Sequence, residues 1–407
     1  MVVILNDLTE RITKGTTPSN IGADFSNEGV MYFRSEIIGK GKYVDKTSGL
    51  LFISKETHEK LKRSQIQVGD ILFSMAGVYL GKVSIVGNDD VPANTNQAVA
   101  IIRFKKNACN IEYVYYYMKQ KWFNDYVCSF CSQAAQPNIN LNQIGRLKID
   151  LPDRMIQDKI VKNISLYDDL IDNNNKRIKI LERMAENLYK EWFVRFRFPG
   201  YETAEFVDGV PKGWTFKHIE QIGEVVAGGT PSTKFDEYWN GDIPWLTPAD
   251  LSDFDGIYIR KGSTSISELG LRKSSAVLLP ANTVLLSSRA PIGYVALAKN
   301  PITTNQGFKS VICNEDVVNY YYLFYFFKMN KSLLESFGSG ATFLELSAKG
   351  LRRIKVIVPS IYIQNKFGEI INKIANEIDK LQQQNQNLIK QREYLLPRLM
   401  SGKLQVK

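Results

Sequence analysis

Two histidines, His58 and His218, and four cysteines, Cys109, Cys128, Cys131 and Cys313, are the side chains of this 407-residue chain best suited to metal or nucleophilic chemistry. Only Cys128-Ser129-Phe130-Cys131 is closely spaced. A structural zinc site needs about four ligands, and no second pair or neighbouring His completes this one. A redox pair lacks its usual context, so free thiols in a reducing cytosol are expected. Gly77-Val78-Tyr79-Leu80-Gly81-Lys82-Val83 approaches a phosphate loop. Its glycines stand one residue too close, and Val83 occupies the place of the hydroxyl that would hold magnesium. The sequence has no Gly-rich dinucleotide fingerprint, no Gly-x-Ser-x-Gly elbow and no Asn-Pro-Pro or Asp-Pro-Pro grip for a flipped base. With no catalytic constellation, the chemistry left is binding.

The charge indicates to what. Lys and Arg number 52 against 42 Asp and Glu, a formal net charge of +10, which favours a polyanionic partner, most simply nucleic acid. Basic and hydroxyl residues gather in connecting segments: Arg34, Ser35, Lys40 and Lys42; Lys62 and Arg63; Arg260 and Lys261; Arg272 and Lys273; Ser288 and Arg289. Such side chains contact phosphates and base edges. For any one of them a solvated loop charge is the favoured reading; as a set on corresponding loops they favour duplex DNA as the ligand.

The correspondence comes from an internal repeat. Leu147-Lys148-Ile149-Asp150-Leu151-Pro152 returns as Ile354-Lys355-Val356-Ile357-Val358-Pro359. Gln157, Lys159 and Asp172 return as Gln364, Lys366 and Asp379, and Gly15-Thr16-Thr17-Pro18-Ser19 as Gly228-Gly229-Thr230-Pro231-Ser232. Gly69 to Ser74 is echoed by Asn282 to Ser287, and Asn96-Gln97 by Asn305-Gln306. A repeat this long is a duplicated domain plus helix. Each half carries short apolar runs, such as Ile71 to Ser74 and Val284 to Ser287, bounded by Gly, Pro and Asn, which read as strands. Each also has an aromatic segment, Tyr113 to Trp122 and Tyr320 to Phe327, expected as a buried helix. The fold class is α+β.

Two helical arms must position these halves. Ile160, Ile164, Tyr167, Ile171, Asn174, Ile178, Leu181, Ala185, Leu188 and Trp192 step by four and three. So do Phe367, Ile371, Ile374, Ile378, Leu381, Asn385, Leu388, Arg392, Leu395 and Leu399. The unbroken period of about 3.5 predicts a coiled coil rather than helices lying on separate cores. Entry from opposite halves makes the arms antiparallel. Setting Asn174 against Asn385 opposes Ile160 to Leu399, Tyr167 to Arg392 and Trp192 to Phe367 with no overhang. The first arm is expected to end at Phe198-Pro199-Gly200, and Pro397 to kink or end the second. The boundaries are then 1–152 for the first domain, 153–198 for the central helix, 199–359 for the linker and second domain, and 360–407 for the C-terminal helix.

In these features the chain resembles the type I restriction-modification specificity subunits. Carriers of the resemblance are Glu191-Trp192-Phe193-Val194-Arg195-Phe196 and Leu395-Leu396-Pro397-Arg398-Leu399-Met400-Ser401-Gly402-Lys403-Leu404, which close the two arms. The paired Gly-Thr-Pro-Ser turns, Ser287 to Gly293, Thr304-Asn305-Gln306-Gly307 and Ala135 to Asn140 support it. The resemblance implies two target-recognition domains joined by conserved helices, each reading half of a split duplex site, with the arms setting the gap between half-sites. It implies two methyltransferase subunits docked on the helical region and motor–nuclease subunits beside them. S-adenosylmethionine, ATP and Mg2+ would enter through those partners, with none bound by this chain and no catalysis of its own. Met75-Ala76-Gly77-Val78 stands where the second half has Arg289-Ala290-Pro291, so Arg289 lacks a cationic counterpart. No apolar run reaches membrane-span length and no basic segment precedes the N-terminal apolar residues, so a cytoplasmic location is expected. The rival reading is a two-domain coiled-coil scaffold that binds protein and not DNA; salt-dependent duplex binding separates the two.

Overall fold

The computed structural model describes residues 1–407 apart from 47–48, 132–136, 253, 255, 290, 341–343 and 406–407. Ala135, Gln136 and Ala290 of the motifs above lie outside the described residues. The chain divides into two compact units, Met1–Asp172 with Gln386–Lys407, and Asn173–Asn385. Each unit includes a stretch of both long helices.

The repeated hexapeptides are strands. In the first unit Lys148–Asp150 pairs antiparallel with the N-terminal Val2–Ile4, with Val3 opposite Ile149. In the second, Lys355–Val358 pairs with Thr215–His218, with Lys217 opposite Val356. Each closing strand thus ties the end of a module to its beginning before the chain enters a long helix.

Between these ties each unit builds two sheets in the same order. The first unit has a four-stranded sheet of Thr9–Lys14, Val99–Phe104, Ile71–Ser74 and Val83–Ile85. The second has Gly223–Ala227, Lys309–Cys313, Val284–Ser288 and Ile292–Ala298 in that order, with Tyr258–Ile259 added at the edge. The smaller sheets, Leu51–Ile53, Val30–Phe33 and Ala93–Thr95, and Thr264–Ile266, Trp239–Leu246 and Thr303–Thr304, each join one antiparallel and one parallel pair. Their parallel registers, Tyr32 with Asn94 and Phe33 with Thr95, and Trp245 with Thr303 and Leu246 with Thr304, equate residues across the repeat.

The aromatic segments are buried helices. In Ile111–Met118 every residue from Tyr113 to Met118 is buried, and in Tyr320–Met329 every residue from Tyr321 to Phe327. Burying each such side chain stabilises by roughly 1.5–3 kcal/mol, so these helices anchor both cores. The first ends earlier than the aromatic run: Trp122 lies in a second helix, Lys121–Ser129, and is exposed. Each helix is capped by an Asn bound to a long helix. Gln157 accepts from Asn110 N (2.8 Å) and donates to Pro152 O (2.7 Å). Gln364 accepts from Asn319 N (2.9 Å) and donates to Pro359 O (2.8 Å). This is why Gln returns at that point of the repeat.

The long helices run Arg154–Tyr189 and Ile361–Met400. Their seam positions are buried or half-buried along both. In the second unit Asn174 Nδ2 donates to Asn385 Oδ1 at 2.9 Å, and Asn385 Nδ2 donates to Asn175 Oδ1 at 2.8 Å. Trp192 lies against Phe367, ring centroids 6.0 Å apart. In the first unit Ile160 and Ile164 share a core with Leu395, Leu396 and Leu399. The pairing is antiparallel in the expected register.

Three expectations are corrected. Arg392 pairs with Asp168, not Tyr167, and Tyr116 Oη donates to Asp168 Oδ2 at 2.6 Å. Asp168 reads as a polar flank in the heptad, yet it is 4% exposed because the aromatic helix covers it. Helical geometry stops at a π turn, Lys190–Val194, and Phe196 has φ 58°, so the first arm ends before Phe198-Pro199-Gly200. The wider turn brings both Trp192 and Phe193 into the core. Pro397 does not break the second helix. It is exposed near the C-terminus, where only one backbone bond is forgone, and Ser401 N closes on Pro397 O at 3.0 Å.

Candidate nucleic-acid interface

Within each unit the Gly-Thr-Pro-Ser turn lies on the Asn-Gln loop. In the first, Gly15 N donates to Val99 O (3.2 Å), Thr16 N to Thr95 O (2.9 Å), and Thr17 Oγ1 to Gln97 Oε1. In the second, Gly228 N donates to Phe308 O (3.4 Å), Gly229 N to Thr304 O (2.8 Å), and Thr230 Oγ1 to Gln306 Oε1. The glycine is a matter of space. A Cβ on Gly15 would stand 1.9 Å from Thr95 O, and one on Gly228 2.0 Å from Asn305 O. The repeated motifs, far apart in sequence, therefore form one clamp, built twice.

Sequence reasoning missed the aromatic residue beneath each clamp. Tyr32 Oη donates to Thr16 O at 3.1 Å, and the equivalent Trp245 donates from Nε1 to Gly229 O at 2.9 Å. Burial pushes the Tyr32 hydroxyl up to about 12, outweighing the opposing influence of Thr17 and Arg34, so it remains a donor at neutral pH. No shared letter marks the pair; only the strand register does.

The basic residues divide into committed and available groups. Lys42 is 7% exposed and pairs with Glu112 on the aromatic helix at 2.9 Å. Burial is the largest single influence and works to lower its pKa, but the Glu112 bond and charge, with Tyr43 and Asp169, together raise it. Arg260 grips both carboxylate oxygens of Asp379 on the second long helix, with Nη2 to Oδ2 at 2.7 Å. Asp379 sits below its ordinary range: burial works upward, and Arg260, Lys299 and Gln383 together overcome it. Ser288 is fully buried and donates to Gly307 O at 3.0 Å. Lys42 and Ser288 are thus buried within the fold, whereas Arg260 lies at the surface with its guanidinium held by the Asp379 carboxylate.

The others lie at the surface or near it. Lys62, Lys261 and Lys273 are exposed. Arg63 is exposed and donates from Nε to Thr13 Oγ1 at 3.0 Å. Lys40 pairs with Asp45 at 3.1 Å and Arg272 with Glu268 at 3.4 Å. Ser35 is half-buried and opens a short 3-10 turn, Ser35–Ile37. Arg34 pairs with Glu36 at 2.5 Å and Arg289 with Glu345 at 3.9 Å. Surface pairs of this kind hold weakly, about 0–1 kcal/mol, and exchange readily for a phosphate or base edge.

Among the described residues no three His, Cys, Asp or Glu side chains gather as a metal site. Among them no helix is long and apolar enough to cross a membrane. All four cysteines are free.

Comparison with known proteins matches this architecture. A type I restriction-modification DNA specificity domain matches twice, at residues 1–183 and 211–391. The MjaIX type I specificity subunit of Methanocaldococcus jannaschii is 42% identical over 201 residues, 49% of this chain and 46% of that relative. The chain thus aligns with about half the length of that relative. The putative MjaX specificity subunit of the same organism is 25% identical over 99% of this chain and 93% of its own. The crystal structure of a type I system S subunit from M. genitalium has the same fold, with a TM-score of 0.58 at 16% identity, covering 98% of this chain and 95% of that one. With the family's domain matched in both halves of the repeat, the chain belongs to the type I restriction-modification DNA specificity family.

Proposed function

We propose that this chain selects the DNA sequence for a type I restriction-modification complex, one module reading each half of a bipartite duplex site. The observation that supports this most is the clamp of Gly-Thr-Pro-Ser turn and Asn-Gln loop, built twice around equivalent strands. Arg34, Ser35, Lys40, Lys62 and Arg63 on the first module, and Lys261, Arg272, Lys273 and Arg289 on the second, supply the cationic and hydrogen-bonding surface. Phosphate contacts by these groups position the duplex, and base-edge contacts select it.

The helical region docks two methyltransferase subunits, and motor–nuclease subunits complete the complex. S-adenosylmethionine, ATP and Mg2+ act in those partners, and this chain supplies specificity without catalysis. Methylome sequencing of cells carrying the chain with its partner subunits tests the reading. A methylated motif in two defined blocks separated by an unread gap is expected. A single undivided motif, or methylation independent of the chain, contradicts it.

A further inference from the structure

The strand registers equate Phe33 with Leu246, and so Arg34 with Thr247 and Glu36 with Ala249. Bridges of Ala76 with Asn138 and of Arg289 with Glu345, alongside Ser74 with Val99 and Ser287 with Phe308, equate Ala76 with Arg289 and Asn138 with Glu345. The same register sets Ala100 against Lys309. The Arg34–Glu36 pair of the first module and the Arg289–Glu345 pair of the second therefore each lack a counterpart at the equivalent positions of the other. In the second module Thr247 instead caps its own turn, its N and Oγ1 bonded to Asp250 Oδ2 at 2.7 and 2.8 Å.

Both arginines adjoin a clamp. Arg34 follows Phe33, whose carbonyl accepts from Asn96 N (3.3 Å) and Thr95 Oγ1 (3.0 Å). Arg289 follows Ser288, whose N donates to Gly307 O (2.7 Å). Both side chains are part-exposed, 42% and 38%. Neither guanidinium is used up. Arg34 Nε is buried and has no hydrogen-bond partner among the described residues, while the side chain as a whole is part-exposed. The Arg289–Glu345 contact, at 3.9 Å, is the outer limit of an ion pair, and Glu345 is drawn inward by Lys309 at 3.5 Å. Lys309 is itself buried and tied to Gln306 O at 3.0 Å.

We propose that Arg34 and Arg289 are specificity-determining residues, each reading a base edge in its own half-site from a non-equivalent strand end, with Glu36 and Glu345 as positioning residues. This rests on the two-module reading above and adds which side chains select bases. A guanidinium fork matches guanine O6 and N7, whereas an ammonium cannot reproduce that two-point contact.

The test is the methylated motif written in cells by the complete complex with Arg34→Ala, Arg34→Lys, Arg289→Ala or Arg289→Lys. Each Arg34 variant is expected to relax discrimination about ten- to hundredfold at one position of one half-site. Each Arg289 variant should do the same in the other half-site only. The Lys variants keep the charge and the packing stem, so they carry the test if truncation unfolds a module. Glu345→Gln should relax the same position as Arg289→Lys, and Glu345→Asp should restore it in part. Unchanged motifs in both Lys variants overturn the proposal, as does relaxation of the same half by both arginines or a uniform loss of methylation with no base relaxed. A wild-type complex that writes no bipartite motif overturns the two-module reading itself.

Discussion

Asn174 and Asn385 meet side chain to side chain, Nδ2 to Oδ1 at 2.9 Å, in an otherwise mainly apolar seam. Asn385 passes its own amide on to Asn175 rather than back to Asn174. Three amides thus satisfy one another where the two long helices run antiparallel, and any slipped register would bury one without a partner.

Asn174→Leu should therefore cost about 1–3 kcal/mol in urea unfolding, the penalty for leaving Asn385 Oδ1 buried without its donor. Asn174→Leu combined with Asn385→Leu should recover that loss while weakening register. Cysteines placed at Ile171 and Leu388 report the register, crosslinking in the wild-type background and incompletely in the double variant. A fully additive loss in the double variant contradicts the pairing.

The Asp168–Arg392 pair is buried on both sides, 6% and 11% exposed, with Tyr116 as a third member. Arg392→Met should destabilise by about 3–5 kcal/mol, since it strands the carboxylate. Asp168→Leu with Arg392→Met should lie much closer to wild type. Paired denaturation curves decide it; equal losses in the single and double variants would show that the charges carry no coupling.

Lys119 gives a pH signature. Burial, and then Arg392, bring it down to about 8, against the opposing pull of Asp168. The unfolded chain holds this proton to about pH 10.4, so between pH 8 and 10.4 the unfolded state binds more protons. Stability from this group rises with pH across that window and is flat below it. Lys119→Met should flatten the rise in urea midpoint between pH 8 and 9.5; a slope unchanged in the variant contradicts the assignment.

Gly15→Ala and Gly228→Ala each push a methyl into a carbonyl oxygen, 1.9 and 2.0 Å away. Each should loosen only its own clamp, so each should weaken binding to one half-site. Binding to duplexes with one or the other half-site scrambled reads this out. Equal losses on both halves would mean global damage.

Much of this was legible in the sequence because the repeat exposes it. Lys148–Asp150 and Lys355–Val358 announce themselves by returning, and the heptad pattern marks the seam because apolar side chains must recur at the helical contact period. Asp168 was not legible. Its burial depends on Tyr116, far away in sequence, and polarity in a heptad flank ordinarily means solvent. Lys42 looks like a surface cation until tertiary packing brings Glu112 to it and buries it, and the pairing of the exposed Arg260 with Asp379 likewise depends on packing. Tyr32 and Trp245 share a role without sharing chemistry beyond a donor, so no letter comparison pairs them. Arg34 and Arg289 were visible as cations, but their non-equivalence needed the strand registers.

Independent reading of one half-site by each module is open to test by exchange of a single module. Replacing residues 215–359 with the matching region of a family member that recognises a different sequence, followed by methylome sequencing of cells expressing the chimera with its partner subunits, tests it most directly. One half of the methylated motif is expected to be exchanged for the donor's while the other half is retained. Change in both halves, or in neither, would contradict it.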